Sequence, residues 1–290
     1  MSQPNIECSE RDNFISQGSK MKDSPELYGS SNAGVQMDAI HFLEQYKSKM
    51  KWKQRGDRSI DLGSADGSTT IVLQKYLPPN YEALVGCDLN EKSVKFANDK
   101  YANHRISFQV LDIQGELPAK LRGSFDHVFS FYTIHWVHDQ KKAFRNVFDL
   151  LLEDGDCLLL LLGRHPIYTM YLALAQSQRW ATYLKDVHNI VSPYHDCQEP
   201  DILISKMMED AGFKYVDVKC KQLTCEYNPL DAFKKIIVAI DPFGIPEELM
   251  KEFLVDCQRV LRDLQLLHTT ESGVIVMRAP YNLLVVHARK

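Results

Sequence analysis

No stretch of this chain is apolar enough to cross a bilayer: the longest run, Cys157 to Gly163, falls far short of the roughly 20 residues required. Cysteine is sparse and unpatterned. Seven residues (8, 87, 157, 197, 220, 225 and 257) make an odd number, with no CxxC pair and no Cys/His metal spacing. That excludes a disulfide framework and points to reduced thiols in a cytoplasmic protein with no bound metal. No block of five basic residues occurs and the formal net charge is −4, so a general affinity for nucleic acid is not expected. The first twenty residues are polar and lack the apolar core of a secretion signal. What remains is ordinary globular composition, 44% apolar and 25% charged over 290 residues, enough to bury a sizeable core.

Periodicity organises that composition. Residues 1–26 show no repeat and read as a mobile tail. Between 32 and 51, Val35, Ile40, Phe42, Leu43, Tyr46 and Met50 recur at helical spacing. Strand-like segments follow at 59–62, 83–88, 106–110, 127–131 and 157–162, with helical stretches at 69–76, 91–101 and 140–152 between them. This alternation predicts an α/β fold, a doubly wound Rossmann-like sheet, mostly parallel and covered on both faces. Two more strands are expected at 215–227 and 283–288, making seven, with the last one antiparallel. The segments at about 164–200 and 229–268 read as a helical cap within one domain spanning 27–290, lying over the carboxyl ends of the strands where ligands of such sheets bind.

The first strand runs into Asp61-Leu62-Gly63-Ser64-Ala65-Asp66-Gly67-Ser68 and then a helix. Gly63 and Gly67 allow a sharp turn and a close approach of backbone to ligand. The middle position of a G-x-G-x-G pattern is Ala65, and such a loop alone is equally an ordinary tight turn. Asp88 ends the second strand, 21 residues after Gly67, where a carboxylate can accept both ribose hydroxyls of a nucleoside. Asp112 ends the third. Three strand-end acids in register, Asp61, Asp88 and Asp112, mark a ligand edge, and the loop acids Asp61 and Asp66 disfavour a pyrophosphate and suit a cationic cofactor, S-adenosylmethionine, with Asp112 toward the adenine amino group and Ile113 against the ring.

The fourth strand ends in Tyr132-Thr133-Ile134-His135-Trp136, without the Asn- or Asp-Pro-Pro-aromatic motif of nucleobase amine methylation. His135 and Trp136 offer neutral N–H donors. A carboxylate displacing at a sulfonium cancels charge in the transition state, so a dry pocket with aimed donors favours it and no general base is needed. The same stretch could equally be a core strand and turn; His135 and His138 without further ligands do not make a zinc site. The cap is rich in apolar and aromatic residues, among them Trp180, Tyr168 and Tyr171, which suits an apolar substrate tail, though a cap that merely shields the sheet would look similar. Its exposed helical faces permit a homodimer without requiring one.

Together, the segments 63–68, 85–88, 108–113, 125–137, 155–159, 191–195 and 287–290 make the chain, from Leu27 on, resemble the insect juvenile hormone acid methyltransferases of the class I S-adenosylmethionine-dependent type. The resemblance implies methyl transfer to the carboxylate of an isoprenoid acid, farnesoic acid or juvenile hormone acid. It assigns the cofactor to the loop Gly63–Gly67 with Ser64, to Asp61, to Asp88 with Leu89, to Asp112 and Ile113, and to Ser130 at the methionine moiety. It puts His135 and Trp136 at the substrate carboxylate. One position departs. The family's N-terminal Gln falls on Val35 or Gly34 here, and Gln36 is the candidate replacement, although a one-residue step turns a side chain by about 100° around a helix. Two other readings stand beside this one: a non-catalytic binder of S-adenosylmethionine and an apolar acid, and a methyltransferase for another small carboxylic acid.

Overall fold

The computed structural model describes residues 24–53 and 56–290. The tail expected over 1–26 therefore lies almost wholly outside the described residues, and helix α1 (Pro25–Gly29) already begins inside its last two. In chain order there follow α2 (Ala33–Tyr46), β1 (Arg58–Leu62), α3 (Ser68–Gln74), β2 (Ala83–Asp88), α4 (Glu91–Tyr101), β3 (Ile106–Val110), β4 (Phe125–Phe131), α5 (Gln140–Leu150) and β5 (Leu151–Leu162). The remainder is α6 (Pro166–Ala175), α7 (Val187–Ile190), α8 (Pro200–Asp210), β6 (Tyr215–Tyr227), α9 (Leu230–Ala239), α10 (Glu247–Asp263), β7 (Leu267–Thr269) and β8 (Ile275–Arg289).

The main path of the sheet holds the seven expected strands, in the order β3-β2-β1-β4-β5-β8-β6. The first five are parallel; β8 runs antiparallel to both β5 and β6. The short β7, which carries no alternation in sequence, hangs on the first residues of β8. Strand β8 starts eight residues before the expected 283, because pairing with β6 carries it through Arg278, Pro280 and Asn282, where apolar alternation fails. Alternate residues of β5 feed two apolar clusters: Leu158, Leu160 and Leu162 pack with α2 and the cap helices, while Cys157, Leu159 and Leu161 pack with α5 and α8. This two-sided burial is what makes the strand read as an unbroken apolar run.

Helix boundaries follow local chemistry. The Asn90 side chain accepts from the amides of Lys92 and Ser93 to start α4, and Asp139 accepts from Lys142 at 2.8 Å to start α5. Helix α5 then buries Ala143, Phe144, Val147 and Leu150, one face at helical spacing. In the cap, α10 buries Met250, Phe253, Cys257 and Leu261 in the same cluster as α6. Among the described residues no helix is long and apolar enough to cross a membrane. The strand order reverses beside β1, with β2 on one side and β4 on the other. The ends of these three strands and of β3 form the floor of one large cavity roofed by α1, α2 and the cap.

Candidate active site at the strand ends

The loop after β1 is shaped by its neighbours. Gly63 has φ of 82°, and a Cβ there would lie 2.0 Å from the Thr133 hydroxyl oxygen, so no side chain fits. Its amide and that of Ser64 donate to the Cys87 carbonyl at 2.7 and 2.8 Å, tying the loop to the end of β2. Ala65, where a glycine would be easiest, takes the left-handed conformation with φ of 45°. Its amide donates to Asp88 Oδ2 at 2.9 Å, which holds it there. Asp88 Oδ1 accepts from the Asn90 amide at 2.9 Å. Each carboxylate oxygen keeps a further lone pair for a ligand, and Asp88 lines the cavity together with Leu89, Asp112 and Ile113.

The acids of this half are held in unusual states. Asp61 is 2% exposed and accepts the Thr70 hydroxyl at 2.6 Å. Burial, with the neighbouring charge of Asp88 adding to it, lifts its carboxyl to about 7. Burial also raises Asp88. Asp88 and Asp112 line the cleft and Asp61 lies behind them; burial makes Asp61 and Asp88 reluctant to ionise, a cost that a cationic ligand would relieve. Tyr28, on α1, closes this half; burial and the charges of Asp66, Asp88 and Asp61 push its hydroxyl up. No periodic signal in the sequence marked it. Ser130 does not reach the cavity lining: its hydroxyl lies beneath, donating to the Leu62 carbonyl at 2.8 Å. Gly67 and Ser64 are likewise behind the wall of the main cavity, Gly67 because its φ of 82° packs it against Phe108 and Ala97.

The other half is neutral. Residues Ile134–Trp136 form a single 3-10 turn after β4. The side chain of Gln140, itself held by the Tyr194 hydroxyl at 2.7 Å, donates to the carbonyls of Ile134 and Val137, both at 2.6 Å, and so clamps that turn. His135 Nδ1 accepts from the Leu162 amide at 3.1 Å, so the ring proton resides on Nε2. That Nε2 is buried and has no partner among the described residues. Burial first, and then the nearby His165, hold the imidazole down to about 3, so it stays a neutral donor. The Trp136 ring, half-buried, stands 5.3 Å from that of His135 and presents an indole N–H donor. Both residues line the cavity.

Three aromatic residues expected at the apolar tail divide. Tyr168 lines the cavity, its ring edge-on to Trp136 at 6.1 Å. Trp180 and Tyr171 do not. The Trp180 indole donates to Asp256 at 2.7 Å and packs on Phe253, which seats it between α6 and α10; Tyr171 packs edge-on to Phe243. Composition could not separate these cases, since all three rings are buried. Gln36 also points elsewhere. Its amide donates to Asn32 Oδ1 at 3.2 Å and to the Ser68 hydroxyl at 3.1 Å, while Val35 faces the cavity. The structure adds a cluster the sequence concealed: Tyr132 and Tyr281 both donate to Asp38 Oδ2, the latter at 2.5 Å, joining α2, the end of β4 and β8 on the cavity wall.

The family model described as a methyltransferase domain matches residues 60–159, which run from β1 through most of β5. The chain is 46% identical over 268 residues to the juvenile hormone acid O-methyltransferase of Bombyx mori, covering 91% of this chain and 96% of that one. To the protein of the same name from Drosophila melanogaster it is 36% identical over 270 residues, covering 91% of each. Among solved structures, phosphoethanolamine N-methyltransferase 2 of Haemonchus contortus, in complex with phosphomonomethylethanolamine and S-adenosylhomocysteine, superimposes with a TM-score of 0.56. It is 17% identical, with 94% of this chain and 59% of that chain covered, a likeness of fold.

Proposed function

Because the chain belongs to the juvenile hormone acid O-methyltransferase family, we propose that this cavity carries methyl transfer from S-adenosylmethionine to the carboxylate of a farnesoid acid, juvenile hormone acid or farnesoic acid. The product is the methyl ester, a step of juvenile hormone biosynthesis. The observation that carries this reading is the state of His135. Its Nδ1 is occupied by the Leu162 amide and its Nε2–H is left buried without a partner among the described residues, next to the Trp136 ring. A buried donor without an acceptor is costly, and an anion that accepts from it relieves that cost.

When bound, S-adenosylmethionine supplies an electrophilic methyl group on a sulfonium. The chain's own residues divide the remaining work. Gly63, Ala65, Asp88, Leu89, Asp112 and Ile113 line the half suited to the nucleoside, with Asp61, Ser64 and Gly67 behind them. His135 and Trp136 orient the acid without protonating it, since neither is a charged donor and an ordinary carboxylate, with a pKa near 4, is already ionised. Tyr168, Leu172 and Phe243 supply apolar wall for an isoprenoid chain and keep water from the reacting anion. Every residue used comes from one chain, so a homodimer is compatible and not required. The net charge of −4 suits a cytoplasmic enzyme acting on a small molecule rather than on nucleic acid.

The test is transfer of an isotopically labelled methyl group from S-adenosylmethionine to farnesoic acid and juvenile hormone acid. Labelled ester is the expected product. Tight binding of S-adenosylhomocysteine with no ester from either acid would make the protein a binder and refute the reading.

A further inference from the structure

A desolvated carboxylate has two oxygens with about four acceptor sites, and two donors leave it under-satisfied. Helix α2 does not complete the set: Val35 faces the cavity with an apolar side chain, and the Gln36 amide is engaged by Asn32 and Ser68. Against Trp136 stands Tyr168. Its residue is fully buried, it lines the cavity, and its hydroxyl has no partner among the described residues. The neighbours that could have satisfied it are occupied. His195 Nδ1 accepts from the His165 amide at 3.3 Å, its Nε2 lies 3.5 Å from the Thr169 hydroxyl, and His165 Nδ1 accepts from the Ile167 amide at 3.2 Å. The Tyr168 ring is fixed edge-on by Trp136 at 6.1 Å, His165 at 6.2 Å and His195 at 5.5 Å. It therefore shares with His135 the property that singled that residue out: a rigid, buried donor with nothing to donate to, against the same indole.

We infer that the Tyr168 hydroxyl is a third donor to the substrate carboxylate, completing with His135 and Trp136 a cradle of neutral N–H and O–H groups; this rests on the methyl-transfer reading above. Tyr168 is then a carboxylate ligand rather than only a wall for the apolar tail. Burial pushes its hydroxyl well above the usual tyrosine range, so the proton stays in place at any working pH and no negative charge meets the acid.

Tyr168→Phe keeps the packing and removes one oxygen. For the variant, kcat/KM with farnesoic acid is expected to fall about 10- to 100-fold, the worth of a hydrogen bond to a charged group. Affinity for S-adenosylhomocysteine stays within about twofold, and Tm does not fall, because the lost hydroxyl had no partner. Binding of farnesoic acid weakens while binding of farnesol, which has no carboxylate, does not. Three results overturn the assignment: unchanged kcat/KM, an equal loss for acid and alcohol, or a less stable protein, which would give the hydroxyl a structural role. An inactive wild-type protein defeats the methyl-transfer reading itself and this inference with it, whereas an active wild type with an equally active Y168F defeats the inference alone.

Discussion

Replacing Asp61 by Asn should raise heat stability at pH 8 and have a much smaller effect at pH 5. The carboxyl is buried under the glycine loop, accepts one hydroxyl, from Thr70, and is lifted to about 7. In the unfolded chain it returns to about 3.9. A carboxyl raised on folding favours the native state most where it is protonated in both states, below about pH 4, and that contribution is lost as pH climbs through 7. Between pH 5 and 7 the loss spans about 2 pH units at about 1.4 kcal/mol each, or roughly 3 kcal/mol. An amide keeps an acceptor for Thr70 and never ionises, so D61N escapes this slope. With an unfolding entropy of about 2.1 cal/mol/K per residue, a chain of 290 residues converts that difference into about 5 °C of Tm. Differential scanning fluorimetry of both proteins at pH 5, 6, 7 and 8, at constant ionic strength, measures it. The gap in favour of D61N widens by about 5 °C and flattens above pH 7. Parallel Tm curves across that range would mean that Asp61 is ionised throughout, and the reasoning would fail. The same variant should bind S-adenosylmethionine more weakly, since the group that a cation would ionise has been removed.

His135→Phe keeps an aromatic ring but loses the Nε2–H; kcat/KM for the acid falls about 10- to 100-fold with S-adenosylhomocysteine affinity unchanged, as steady-state kinetics and calorimetry would show. Because the imidazole is held down to about 3, it carries no titrating proton in the working range. The kcat profile at saturating cofactor and acid is therefore expected to be flat from pH 5.5 to pH 8; an inflection near 6.5 that disappears in H135F would indicate a general base. Gln36→Ala leaves turnover within about twofold, because its amide serves Asn32 and Ser68 and not the cavity. A large fall in kcat for that variant would place the amide on the substrate.

The strands were legible because burial on both faces writes itself into composition: Cys157 to Leu162 can hardly be anything but an inner strand. The strand-end acids Asp88 and Asp112 were legible for a related reason, since a parallel sheet delivers the residue after each strand to one edge. Adjacent positions such as His135 and Trp136 stay adjacent in any fold. What could not be read was direction. Gln36 and Val35 differ by one step on α2, and only packing against Ser68 decides which of them meets the cavity. Trp180, Tyr171 and Tyr168 look alike in sequence, yet Asp256 claims the first and the cavity the last. Ser130 is turned under the floor by the Leu62 carbonyl. The Asp38 cluster joins residues 94 and 243 positions apart, a coincidence that exists only after the sheet closes.

The seam made by β8 has a consequence for how the chain is made. It follows β5 and β6 in the chain, yet it lies inside the sheet, with β5 on one side and β6 on the other. Until it emerges, β5 presents an open backbone edge at the centre of the nascent molecule, and β6, already translated, has no neighbour to pair with. Lys290, just past the strand, is stitched in as well, with its amide on the Gly155 carbonyl at 2.9 Å and its ammonium on that of Leu151 at 2.8 Å. Closure of the sheet therefore waits for β8, and deleting this strand would strike the middle of the molecule rather than its fringe.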